Sequence, residues 1–256
     1  MDGLKEIKHK PCVAAMDLGT NSSRLLIAGE DGTPVYRDVK HVALGDGLAE
    51  NGCFCMQAME RAICSFMDFA EMMKLYNVTS YRAIATAACR MSANTADFKA
   101  EVRKSSGVEI EIISEFEEAR LTLKGACLNA PAHPKYLFVY DLGGGSTEVT
   151  FATNTATPEI LATYSIPLGA RNATEMFHLQ DYDAEGAAAL EEEVKRQLAD
   201  LLAKVRTFPD YVDAAVIATS STPLRLAAWI LKQNGYDKFA ADGKVVSVAD
   251  LDALID

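Results

Sequence analysis

The feature that most restricts the fold is an ungapped internal repeat. Asp17-Leu18-Gly19-Thr20-Asn21-Ser22-Ser23-Arg24 aligns with Asp141-Leu142-Gly143-Gly144-Gly145-Ser146-Thr147-Glu148, sharing the Asp, the Leu, the first Gly and a Ser. An apolar run precedes each copy (13–16 and 136–139), a second follows it (25–28 and 149–152), and a turn leads to a third near 35–42 or 159–167. Each copy reads as strand, tight turn, strand, turn, strand. One glycine turn says little, because any hairpin can use one. Two copies of the whole unit predict two similar half-molecules with a ligand between them.

The chemistry of the turn points to an anion. Gly143, Gly144 and Gly145 put no side chain between their N–H groups and whatever lies in the turn, so it can close around a phosphate. Asp141 stands at its lip. A carboxylate there repels phosphate, and is explained by a divalent cation or a water that meets the phosphate.

The chain has 256 residues, which with the duplication favours two domains. Hydrophobic residues make up 49% and charged residues 24%, the balance of a soluble globular protein. No apolar run approaches the ~20 residues of a membrane span, and the polar stretch 1–10 lacks a signal-peptide core, so a cytoplasmic protein without membrane contact is expected. A net charge of −11 argues against broad nucleic-acid binding. It also requires local positive charge or bound metal if a polyanion is to approach. The six cysteines contain no Cys-x-x-Cys pair, and Cys53 and Cys55 have no accompanying His or Cys cluster, so reduced thiols without zinc are expected. None of the four histidines has a partner at metal or triad spacing.

Apolar residues from Met59 to Met73 recur at helical spacing and predict a helix over 56–76. Residues 81–87 read as a strand, with Thr86 and Arg90 at its end, where open α/β sheets place ligand residues. Arg90 is there either a solvated residue or a phosphate ligand. Asn94 opens a helix that closes at Ser105-Ser106-Gly107, and 109–113 is a short strand. Ser114-Glu115-Phe116-Glu117 fits a capping box in which Glu117 reaches back to the Ser114 N–H. Glu118 has no such task and points about 100° further round the helix. It is open to chemistry or to a solvated place favoured by the helix dipole. Pro131-Ala132-His133-Pro134 ends the helix and is the best linker, giving domains 1–130 and 131–256. Beyond the second hairpin come a short helix over 169–177, a long one capped by Asp183, a strand over 212–218, a helix containing Trp229 and a last helix begun by Ser247.

The two repeat segments, Ile113-Ser114-Glu115-Phe116-Glu117-Glu118-Ala119-Arg120-Leu121 and the stretch from Thr86 to Arg90 together resemble the exopolyphosphatase / guanosine pentaphosphate phosphohydrolase family of the actin, hexokinase and Hsp70-like ATPase superfamily. The resemblance covers nearly the whole chain. It implies two ribonuclease-H-like α/β domains with mixed sheets and an active cleft between them. It implies a cytosolic, magnesium-dependent hydrolase that releases terminal phosphate from polyphosphate or guanosine pentaphosphate. The family's general base falls on Glu118. The acidic groups near the metal fall on Asp141 and Glu148, with Asp17 a further metal ligand. The phosphate contacts fall on Gly19, Thr20, Asn21, Ser22, Ser23, Arg90, Gly143, Gly144, Gly145, Ser146 and Thr147. Two departures stand out. Ser220-Ser221 replaces a glycine pair, and its Cβ atoms restrict close backbone approach by a ligand. The second domain is shorter at its C-terminal end than in the family. Rival readings are a small-molecule kinase of the same superfamily and a non-catalytic binder of phosphate chains or nucleotide; a homodimer is compatible with either.

Overall fold

The computed structural model describes residues 11–128, 130–181 and 183–255. Its first half contains strands β1 (Cys12–Leu18), β2 (Ser22–Gly29) and β3 (Pro34–His41), then helices α1 (Leu48–Asn51) and α2 (Met56–Leu75). Strand β4 (Val78–Ala85), helices α3 (Ala87–Met91) and α4 (Thr95–Ser106), and strand β5 (Ile110–Ile112) complete it. These strands form one sheet in the order β3-β2-β1-β4-β5. The hairpin strands are antiparallel, whereas β4 runs parallel to β1 and β5 parallel to β4.

Alternation explains which face is covered. Along β1, Cys12, Ala14, Met16 and Leu18 are buried while Val13 and Ala15 are exposed. Along β2, Ser23, Leu25 and Ile27 point to the same inner face. Helix α2 supplies the other side of this core through Ala58, Ala62, Phe66, Phe69 and Met73. The predicted spacing of that helix is therefore its packing stripe. Helix α4 closes at Gly107, whose φ of 75° is the left-handed stop a glycine allows.

The second half begins with helix α5 (Glu115–Cys127) and repeats the hairpin as β6 (Tyr136–Leu142), β7 (Thr147–Thr153) and β8 (Ile160–Ile166). Helices α6 (Ala170–Met176) and α7 (Ala184–Val205), strand β9 (Ala215–Thr219), and helices α8 (Ser221–Ile230), α9 (Lys238–Ala241) and α10 (Val248–Ile255) follow. Its sheet runs β8-β7-β6-β9, with β9 parallel to β6, so it repeats the first four positions of the other sheet. This is the duplicated ribonuclease-H-like α/β architecture expected from the sequence. Asp183 caps α7 as its position predicts, accepting hydrogen bonds from the Glu185 and Gly186 amides.

Both faces of the second sheet are covered, by different helices. Tyr136, Val149 and Phe151 pack with Leu201 and Val205 of α7. Leu137, Val139 and Ala152 pack instead with Leu123 of α5. The compact units consequently part between Ser114 and Glu115, whereas the sequence places the break after residue 130. The prolines at 131 and 134 end the helix without separating it from the sheet that follows. The expected strand over 212–218 is also shorter, because Tyr211–Asp213 forms a single helical turn.

Candidate functional site

The two repeat turns close in the same way. Gly19 N–H donates to the Ser22 carbonyl at 3.0 Å, and Gly143 N–H donates to the Ser146 carbonyl at 3.0 Å. The aligned Asp sits two pairs further down each hairpin, opposite Arg24 in one copy and Glu148 in the other.

What lies behind each turn decides where its amides point. In the second copy the carbonyl of Gly143 accepts from Ala170 N–H at 2.9 Å and that of Gly144 from Arg171 N–H at 3.0 Å. The Asn172 side-chain amide donates to the Gly145 carbonyl at 3.0 Å. Within a trans peptide plane the C=O and the next N–H point in opposite directions. Three carbonyls turned onto the start of α6 therefore turn the amides of Gly144, Gly145 and Ser146 the other way, as an anion cradle requires. In the first copy the Thr20 carbonyl accepts from Gly45 N–H at 2.9 Å, and the Asn21 carbonyl accepts from Val42 and Ala43 N–H, each at 3.0 Å. The amides of Asn21 and Ser22 are thereby turned outward.

Close approach makes two further glycines part of this arrangement. A Cβ on Gly169 would lie 2.5 Å from backbone atoms of Gly144 and Gly145, and one on Gly45 would lie 2.3 Å from the Thr20 methyl carbon. Sequence reasoning missed Gly45, Gly169 and Asn172, whose signal was only a glycine shortly after the third strand of each repeat.

The aligned carboxylates differ in their surroundings. Asp17 accepts from the Arg24 guanidinium at 2.6 Å, so the first copy neutralises its own acid. In the second copy Glu148 replaces Arg24 and two carboxylates oppose each other across the hairpin. Glu148 is buried and accepts from the Ser165 hydroxyl at 3.0 Å. Opposed like charges on one sheet face are unfavourable unless a cation, a proton or hydrogen-bond donors offset them. By alternation Asp141 continues the face of Leu137 and Val139, and Glu148 that of Thr150 and Ala152. This is the face on which α5 packs, and α5 carries Glu118, half-buried in its first turn. Glu117, its neighbour, is gripped by both arms of Arg120, at 2.6 and 2.8 Å.

In the first unit Thr86 N–H donates to the Leu18 carbonyl at 3.2 Å, which joins the start of α3 to the first turn. Arg90, on α3, is half-buried and donates to the Ile113 carbonyl at 3.0 Å.

Two expected contacts are drawn elsewhere. The Ser23 side chain is wholly buried with the inner face of β2, and among the described residues its hydroxyl has no hydrogen-bond partner. Thr147 donates its hydroxyl to the Leu168 carbonyl at 2.7 Å. Both residues occupy the strand parity opposite the carboxylates, so alternation sends their side chains to the other face.

Among the described residues no three His, Cys, Asp or Glu side chains cluster as a metal cage. Magnesium does not need one, since it commonly takes one or two carboxylates and completes its shell with water and phosphate oxygens. The Asp141 and Glu148 pair fits that donor set, whereas Asp17 would have to share its carboxylate with Arg24.

A duplicated α/β protein with one outward-facing amide turn in each half is thus the class that fold and site define. The chain belongs to the Ppx/GppA phosphatase family, whose family model matches residues 27–256. It is 30% identical over 252 residues to exopolyphosphatase 2 of Mycobacterium tuberculosis, a match covering 93% of this chain and 77% of the relative. A crystal structure of the Aquifex aeolicus Ppx/GppA family member is similar at 26% identity and a TM-score of 0.72, covering 95% of this chain and 77% of that one. An exopolyphosphatase structure from Cytophaga hutchinsonii, at 22% identity, shares the fold with a TM-score of 0.82 over 95% of this chain and 78% of that one.

Proposed function

We propose that this chain hydrolyses the terminal phosphoanhydride bond of inorganic polyphosphate, with Glu118 as the base that takes a proton from the attacking water. One observation carries this reading: Asp141 and Glu148 lie beside the outward-facing glycine turn, on the face of the second sheet against which the helix bearing Glu118 packs. Breaking a phosphoanhydride asks for charge neutralisation on the phosphoryl oxygens, an aligned water and a proton acceptor. The amides of Gly144, Gly145 and Ser146 supply the first without a desolvated counter-charge. Glu117 is held by Arg120; its neighbour Glu118, the position on which the family's general base falls, is the carboxylate assigned to the water. Asp141 and Glu148 would hold magnesium, which when bound adds Lewis-acid neutralisation of phosphate charge. Arg90 and the amides of the first turn are the first unit's own donors for phosphate. Guanosine pentaphosphate presents the same terminal anhydride and is the second substrate to assay.

The test is phosphate release from long-chain polyphosphate and from guanosine pentaphosphate, with magnesium and with a chelator. Glu118→Ala is expected to cut turnover by at least about a hundredfold while polyphosphate still binds. Turnover equal to that of the parent would remove Glu118 as the base.

A further inference from the structure

A residue that the proposed reaction does not use holds the segment that stands behind the first turn. Arg61, on α2, donates from Nε to the Val42 carbonyl at 2.7 Å and from Nη2 to the Ala43 carbonyl at 3.2 Å, and lies 3.5 Å from Asp46. Val42 and Ala43 are the two residues whose amides converge on the Asn21 carbonyl. Two consecutive amides can meet one acceptor only if the backbone bends sharply between them, and it does. Ala43 has φ of 45°, a left-handed conformation that a residue with a Cβ adopts at a cost. Such a bend persists only where its surroundings hold it. The planar guanidinium fork is suited to the task, because it grips two neighbouring carbonyls with a fixed spacing.

We propose that Arg61 is a positioning residue for anion binding, acting through the 42–43 bend to hold the Asn21 carbonyl and so aim the Ser22 amide outward. The proposal rests on the reading that the first turn takes phosphate. Arg61 also lines a cleft of 480 Å³ with Lys40, His41, Glu60 and Asp68, so removing its side chain opens a hole that solvent and small cations can enter.

Arg61→Ala and Arg61→Lys, compared with the parent, test this by two measurements. Amide hydrogen exchange of the protein without substrate is expected to accelerate at least roughly tenfold at Val42 and Ala43 in the alanine variant, with the β1–β2 ladder unchanged. The KM for polyphosphate is expected to rise roughly tenfold with kcat within about twofold, since the lost contact serves ground state and transition state alike. Lysine, a point donor, should fall between the two. Millimolar guanidinium should lower the KM of the alanine variant and leave the parent unchanged, a response that loss of general stability would not produce. Unchanged exchange at residues 42 and 43, or an unchanged KM, would overturn the proposal. If the parent releases no phosphate from polyphosphate, the hydrolase reading fails, and the exchange measurement still decides the role of Arg61 in holding the bend.

Discussion

Ser220 shows how one residue can contradict its own backbone. It has φ of 85° and ψ of −177°, a region that is essentially reserved for glycine. At the position where the resemblance leads one to expect glycine, the chain thus carries serine on a backbone path suited to glycine. Ser220→Gly is expected to stabilise the second unit by about 1 kcal/mol, the relieved strain being partly offset by glycine's greater freedom when unfolded. Urea unfolding measures it, and a destabilised variant would show that Ser220 is not strained. The cysteines permit a second check at this scale, since none of the six is in a disulfide. Burial pushes the Cys89 thiol up to about 12, whereas Cys64 is exposed. Because the thiolate is the reactive form, iodoacetamide at pH 8 should label Cys64 in the folded protein and reach Cys89 only after unfolding. Residue types at the repeat are legible in the sequence, and side-chain direction follows from strand parity. Ser23 and Thr147 differ from their carboxylate neighbours by strand parity, and counting alternation from Asp17 and Asp141 would have assigned them to the other face.

The working element is a turn together with what stands behind it. Its three glycines were readable as space for an anion, yet that space is useful only because the start of α6 takes the opposing carbonyls. Asn172 completes this: its amide donates to the Gly145 and Pro167 carbonyls, and its oxygen accepts from Gly169 N–H at 2.6 Å. Asn172→Ala leaves these backbone groups without those partners and should cost about 2 kcal/mol of stability, with a raised KM for polyphosphate. Gly169→Ala should be more damaging to the site, since its Cβ meets rigid backbone of the turn rather than a movable side chain. If Gly169→Ala keeps the parent's KM, the amides of 144–146 are not the phosphate contacts. Sequence could not supply this layer, because nothing local ties residue 172 to residue 145. Hydrogen bonds between distant backbone groups leave no residue-type signature, whereas periodic burial does, which is why α2, α4 and α7 were read nearly to their ends.

At the scale of the molecule, the duplication was legible and the border between its halves was not. A proline-rich break marks where a helix stops, but unit membership is set by which core the helix buries its apolar side in. Helix α5 buries Leu123, 1% exposed, against Leu137, Val139 and Ala152 of the second sheet. The proposed base thus belongs to the same unit as the glycine turn and the paired carboxylates, so their spacing depends on the stability of that unit. Leu123→Ala removes a fully buried side chain and should destabilise its unit by about 3 kcal/mol. In calorimetry of the whole chain, where two units need not melt together, the transition assigned to residues 115–256 should move down by several degrees. That of residues 11–114, followed separately by exchange at the β1 and β4 amides, should stay in place. Loss of the first unit's protection instead would mean that α5 is anchored where the prolines suggested, and not on the sheet face that carries Asp141 and Glu148.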